Sequence, residues 1–181
     1  VLFRSLIDGV EQTRYEAQEG PQTQFLSSSA DIVVYGGAAG GGKSAGLLME
    51  AARHTSDSGY GGVIFRRNTA MIRNPGALWD ESEKFYSQLG GSPKNSDLKW
   101  VWPSGASIKF CHLEYEKDKY SHQGAQYAFI GFDELTHFSQ SSFFYLLSRN
   151  RSLCDIRPYV RATRSEEHTS ELQSQFRISY A

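Results

Sequence analysis

A chain of 181 residues sits near the usual size of one domain, long enough to bury a core and too short for two full-sized domains. Nineteen Lys and Arg against twenty Asp and Glu leave a net charge of −1, which excludes an overall basic footprint for nucleic acid and confines any DNA contact to a local patch. The longest apolar runs, such as Ile32 to Tyr35 and Tyr127 to Ile130, fall far short of the roughly 20 residues a membrane helix needs, and two cysteines without a secretory h-region fit a reducing compartment.

In chain order, Val1 to Ser5 (VLFRS) resembles one end of a translated sequencing adapter, and the first structured signal follows some twenty-five residues later. Ile32 to Tyr35 predicts a strand buried on both faces. It runs into the glycine-rich GGAAGGGKS and then the helix-prone SAGLLMEAARH, the order strand, loop, helix that a phosphate site requires. Val63 to Phe65 predicts a second strand, with Arg66 and Arg67 at its end. A helix is expected over Ala77 to Leu89, with Leu78, Phe85 and Leu89 at helical spacing and Gly90-Gly91 as its stop. Leu98 to Leu113 alternates on either side of Pro103-Ser104-Gly105 and predicts an antiparallel hairpin, either inserted or at the sheet edge. Ala128 to Phe132 and Tyr159 to Ala162 predict two more strands, and Ser141 to Arg149 a helix carrying Phe143, Phe144, Leu146 and Leu147 toward the core. Arg164 to Ala181 (RSEEHTSELQSQFRISYA) lacks any helical or strand period and resembles the other adapter end, so residues 6–163 are taken as the folding unit and the tail as disordered. The expected fold is α/β, a mostly parallel sheet flanked by helices with an added antiparallel hairpin.

The chemistry concentrates in two places. Gly37-Ala38-Ala39-Gly40-Gly41-Gly42-Lys43-Ser44 fits the phosphate-loop pattern G-x-x-x-x-G-K-[ST] without exception. Consecutive backbone N–H groups must turn inward around phosphate oxygens, which needs dihedrals and clearance that glycine supplies. Lys43 offers a point charge to β- and γ-phosphates, Ser44 a hydroxyl to Mg²⁺, and the following helix its N-terminal partial charge. Such a loop needs an acid at the end of a neighbouring buried strand, and Asp133-Glu134 stands after Ala128 to Phe132. Asp133 suits the Mg²⁺ side, and Glu134 can polarise the water that attacks the γ-phosphate. Two acids in those places favour ATP hydrolysis coupled to work. His112, His122, His137, Cys111 and Cys154 lack zinc spacing.

These motifs, together with GPQTQFL from Gly20, FRRN from Phe65, NPGALWDES from Asn74 and GFDELTHF from Gly131, resemble the N-terminal ATPase domain of tailed-phage terminase large subunits. The resemblance runs from about Gly20 to Thr163. It implies a P-loop NTPase of the ASCE type, in which the strand after the Asp-Glu strand inserts beside the P-loop strand, with ATP and Mg²⁺ as cofactors. Arg161-Ala162-Thr163 resembles the start of the family's coupling segment, and the family's remaining ATPase elements and nuclease domain are expected outside the chain. Gln24 resembles the adenine-recognising glutamine, a surface amide in a turn being the bland alternative. Arg66 and Arg67 are open to three readings: transition-state charge, DNA phosphate, or pairing with acids. By resemblance the partners are double-stranded DNA, the portal protein, the small terminase subunit and further copies of the chain in a ring, in the cytoplasm of an infected bacterium and transiently at the procapsid portal. The alternatives are another ASCE-type DNA motor such as a helicase, a nucleotide-binding module without hydrolysis, or an inactive fragment.

Overall fold

The computed structural model describes residues 16–38 and 42–165; Val1–Ser5, the loop residues Ala39, Gly40 and Gly41, and the tail from Glu166 lie outside the described residues. In chain order the elements are α1 (Pro21–Ser27), β1 (Ile32–Gly37), α2 (Lys43–Ala51), β2 (Gly61–Arg66), α3 (Ala70–Arg73), α4 (Leu78–Tyr86), β3 (Ser92–Lys94), β4 (Lys99–Val101), β5 (Ser107–His112), β6 (Phe129–Phe132), α5 (Gln140–Leu147) and β7 (Tyr159–Ser165). Short 3-10 segments occupy Ala52–His54, Glu116–His122 and Leu135–His137.

The strands form a sheet of order β1-β7-β6-β2-β5-β4-β3. The first five run parallel, β4 runs antiparallel to β5, and β3 antiparallel to β4. β7 lies between the glycine-loop strand β1 and the Asp-Glu strand β6, as an ASCE-type sheet requires. The hairpin about Pro103-Ser104-Gly105 is present, and Gly105 takes the left-handed φ of +87° that its turn needs. Its second strand is more than an edge ribbon, because β5 pairs with β2 over six residues, Gly61 to Arg66. β3 has no counterpart among the expected strands because all three of its residues are exposed, leaving no apolar alternation to read. As the outermost strand it carries Pro93 and Lys94, residues that discourage another chain from pairing there.

Alternate residues of the central strands feed two cores. Ile64, Phe129 and Ile108 join Leu47 of α2 and Trp79 and Tyr86 of α4 in one cluster. Val63, Phe65, Ile130 and Phe132 join Phe143 and Leu146 of α5 in the other. Two expectations are corrected. Phe144 is 51% exposed, since the buried stripe of α5 runs through Phe143 and Leu146 and turns its neighbour outward. The sheet also does not stop at Thr163: Arg164 and Ser165 continue β7 opposite Gly36 and Gly37. Ladder pairing is a backbone property, so two polar residues extend a strand whose apolar pattern has ended.

The hairpin is fastened to α4 by aromatic side chains whose polar ends are satisfied. Trp100, fully buried, packs against Trp79 and Tyr86 and donates its indole N–H to Ser82 Oγ at 3.0 Å. Tyr86 in turn donates to Leu48 O in α2 at 3.1 Å. This chain of contacts ties the edge of the sheet to the helix that begins at the glycine loop.

Candidate active site at the C-terminal edge of the sheet

Parallel strands deliver their C-terminal ends to one edge, and the predicted chemistry gathers there. β1 ends at Gly37, and α2 starts at Lys43 behind Gly42, whose φ of +68° is left-handed. Lys43 is 7% exposed, and its Nζ donates to Gly37 O and Ala38 O, both at 2.8 Å. The loop's own carbonyls thus engage the ammonium group that an incoming phosphate would compete for. Ser44 Oγ lies 3.3 and 3.4 Å from the two carboxylate oxygens of Asp133. The loop and the acidic strand, 89 positions apart in the chain, therefore meet at one point.

Asp133 is fully buried. Besides Ser44, its Oδ1 accepts a 2.7 Å hydrogen bond from Thr163 Oγ1 of β7, and Arg66 Nε lies 2.8 Å from its Oδ2. Burial pushes its carboxyl above the ordinary range, opposed by Arg66 and the Thr163 hydrogen bond, with the nearby Glu134 adding to the rise. Glu134 follows with φ +60° and ψ 70°, a left-handed conformation unusual for a non-glycine residue. Its N–H donates to Thr163 Oγ1 at 3.0 Å, and its carboxylate accepts from Ser165 N and Ser165 Oγ, both at 2.8 Å. Ser165 is the register partner of Gly37, so this carboxylate sits beside the entrance to the glycine loop.

The structure places the remaining candidate residues as follows. Gln24 is exposed on α1, whereas Gln22, two residues earlier and on the opposite side of that helix, is 3% exposed and donates from Nε2 to Gly42 O at 2.8 Å. Its Oε1 accepts from Gln18 N at 2.7 Å, so the amide braces the loop with both ends used. The signal lies in the sequence: Gln22, Phe25 and Leu26 share the buried stripe of a helix started by Pro21. Of the two arginines, Arg66 pairs with Asp133, while the exposed Arg67 donates to His137 O at 3.1 Å. Within Arg161-Ala162-Thr163 only Thr163 reaches the acids. Arg161 donates to Ser28 O and Ala30 O and faces the buried Glu50, away from the loop.

Ser44 and Asp133 offer a hydroxyl and a carboxylate side by side, a hard oxygen donor set that fits Mg²⁺. With Lys43 and the N-terminus of α2 on the other side, the edge can hold a polyphosphate and its cation together.

Comparison with family models matches residues 34–176 to the N-terminal part of the T4likevirus-type terminase large subunit. The chain belongs to that family. The match runs past Thr163, where the motif resemblance stopped. A comparison with curated proteins found no match. Among solved structures, the large terminase of bacteriophage HK97 is similar over 79% of this chain and 32% of its own, at 13% identity and a TM-score of 0.62. The large terminase of a thermophilic bacteriophage, solved also with ADP, gives a TM-score of 0.59 at 17% identity, over 80% of this chain and 38% of its own. The large terminase ATPase domain of a Thermus phage matches over 81% of this chain and 64% of its own, at 15% identity and a TM-score of 0.52. The chain thus spans about a third of the first two large terminases, and the likeness establishes their α/β ATPase fold.

Proposed function

We propose that this chain is the ATP-hydrolysing part of a DNA-packaging motor that binds Mg-ATP at the edge formed by Lys43, Ser44 and Asp133. The observation that carries the reading is the Ser44–Asp133 contact, which joins the glycine loop to the acidic strand. Lys43 exchanges the carbonyls of Gly37 and Ala38 for β- and γ-phosphate oxygens, and the N-terminus of α2 adds its partial charge. Ser44 and Asp133 hold the cation. When bound, Mg²⁺ neutralises phosphate charge and orients the triphosphate. Glu134 takes the proton of the attacking water, with Thr163 fixing its backbone. Gln22, through Gly42, sets the loop rather than reading the base.

The family resemblance adds the work performed: translocation of double-stranded DNA into a procapsid by a ring of copies docked on the portal protein, with the small terminase subunit as a further partner. Such a motor acts in the cytoplasm of the infected bacterium. Among the described residues no helix is long and apolar enough to cross a membrane.

Two variants test the roles. Lys43→Ala loses nucleotide affinity, whereas Glu134→Gln keeps it and loses about 10²- to 10⁴-fold in kcat. Hydrolysis at an unchanged rate by Glu134→Gln would remove that residue from the mechanism. Nucleotide-dependent movement of double-stranded DNA into procapsids, absent in both variants, tests the motor reading.

A further inference from the structure

The pairing of Arg66 with Asp133 is not explained by the chemistry above. Asp133 is the fully buried carboxylate of the cation side, yet a guanidinium nitrogen already stands 2.8 Å from it. The register makes this contact unavoidable: Phe65 of β2 is paired with Phe132 of β6, so the next residues, Arg66 and Asp133, emerge together at the sheet edge. A permanent buried arginine–carboxylate bridge is normally a two-pronged fork of well-aligned hydrogen bonds. Here no hydrogen bond joins the two groups: Nε stands 2.8 Å from the carboxylate and, although buried, satisfies no hydrogen-bond geometry. The Arg66 side chain is 20% exposed, and Nη1 is spent on Met71 O at 3.2 Å rather than on the second carboxylate oxygen. That second oxygen is the one taken by Thr163. The guanidinium therefore compensates the charge of Asp133 without being locked to it.

We infer that Arg66 is a displaceable counter-ion: it neutralises Asp133 while no divalent cation is present and gives up that carboxylate when a cation is bound. This rests on the reading of Asp133 as a cation-side group. Arg66 is then a positioning residue that couples occupancy of the loop to the end of β2 and, through Met71 O, to the start of α3. It would also keep the buried carboxylate from standing uncompensated between turnovers.

The test is a titration of the full chain with Mn²⁺ alone, bound ion being followed by loss of the free-ion electron paramagnetic resonance signal. Arg66→Gln removes the competitor, and Mn²⁺ affinity should tighten by about tenfold, the order expected when an opposite charge beside the carboxylate no longer has to be displaced. Arg67→Gln removes the same charge from the neighbouring residue, which does not touch Asp133, and should leave the affinity unchanged. Arg66→Lys keeps a cation without the guanidinium plane; its affinity should fall between wild type and Arg66→Gln, which keeps the test decisive should Arg66→Gln not fold. Weakened or unchanged binding in Arg66→Gln would overturn the inference and make Arg66 a fixed brace, as would equal tightening in Arg67→Gln. Asp133→Asn should abolish the binding. If it does not, the cation-side reading of Asp133 falls first, and the failure is distinguishable from that of Arg66.

Discussion

Thr163→Val isolates the polar joint between β6 and β7. Thr163 is fully buried, donates to Asp133 Oδ1 at 2.7 Å and accepts from Glu134 N at 3.0 Å. Valine has nearly the same shape, so the change opens no cavity and suits a strand at least as well. What it removes is a hydrogen bond to a carboxylate, worth about 1.5–3 kcal/mol, and it leaves the Glu134 N–H without its partner, at about 1–3 kcal/mol. Allowing for partial relaxation and a small gain in strand preference, unfolding in urea should show a loss of about 3–4 kcal/mol. Thr163→Ser retains the hydroxyl and should lose no more than about 1 kcal/mol, the value of one buried methyl group. A Thr163→Val chain that unfolds within about 0.5 kcal/mol of wild type, or a Ser variant equally damaged, would refute the argument that this hydroxyl holds the two acids. The same variant should slow hydrolysis more than it weakens nucleotide binding, because it frees the backbone of Glu134 while leaving Lys43 untouched.

Other perturbations follow from particular contacts. Gln22→Ala should lower stability by about 1–2 kcal/mol and weaken nucleotide affinity, while Gln24→Ala stays within about 0.5 kcal/mol; paired denaturation and binding curves compare them. Gly91→Ala would place a Cβ 2.9 Å from Tyr86 O and 3.0 Å from Trp100 and Trp102, so a loss of about 1–3 kcal/mol is expected on thermal unfolding. Burial, then Lys109 and His112, push the His122 imidazole from its ordinary 6.5 down to about 4, and its Nδ1 lies 2.9 Å from Tyr127 OH. The folded chain keeps this group neutral while the unfolded chain takes up a proton, so stability should fall with decreasing pH by about 2 kcal/mol between about pH 6.5 and 4.5. His122→Gln should flatten that segment of the stability curve; an unchanged slope would mean that His122 titrates normally in the fold.

How far the fold is legible depends on whether a segment carries apolar pattern. Ile32 to Tyr35, Val63 to Phe65, Ala128 to Phe132 and Tyr159 to Ala162 mark their strands because residues buried on both faces must be apolar. β3 and the end of β7 carry no such mark, since Ser92, Pro93, Lys94, Arg164 and Ser165 are polar or Pro and join the sheet through backbone pairing, which leaves no apolar pattern. At the candidate site the glycine loop and the acidic pair are readable because their chemistry fixes residue type at fixed spacing. Gln24 stands out as an amide of the family's kind, but only the helical face, which motif matching ignores, separates it from Gln22. The partner of Arg66 is unreadable for a different reason: pairing across the sheet is set by register, and register between strands some seventy positions apart is not written in either strand alone.

That register also explains why so many donors converge on a single carboxylate. β6 is flanked by β7 on one side and β2 on the other, with Phe132 opposite Ala162 and opposite Phe65. One step further along each strand stand Asp133, Thr163 and Arg66, so the neighbours of the acid are dictated by strand order rather than by loop folding. A slip of β7 by one residue would exchange Thr163 for Ala162 or Arg164 beside Asp133 and swap its buried side chains between the two faces of the sheet. Ser44 completes the set from the first turn of α2, whose position depends on Gly42 and hence on Gln22. A disturbance at the loop therefore reaches the end of β6 by one hydrogen bond, β7 by one more, and β2 by the Arg66–Asp133 ion pair. A motor that converts loop occupancy into strand movement needs a short polar connection of this kind. Arg66→Gln and Thr163→Val cut it on opposite sides of Asp133, and their effects on Mn²⁺ affinity should be non-additive, because both act through the same carboxylate.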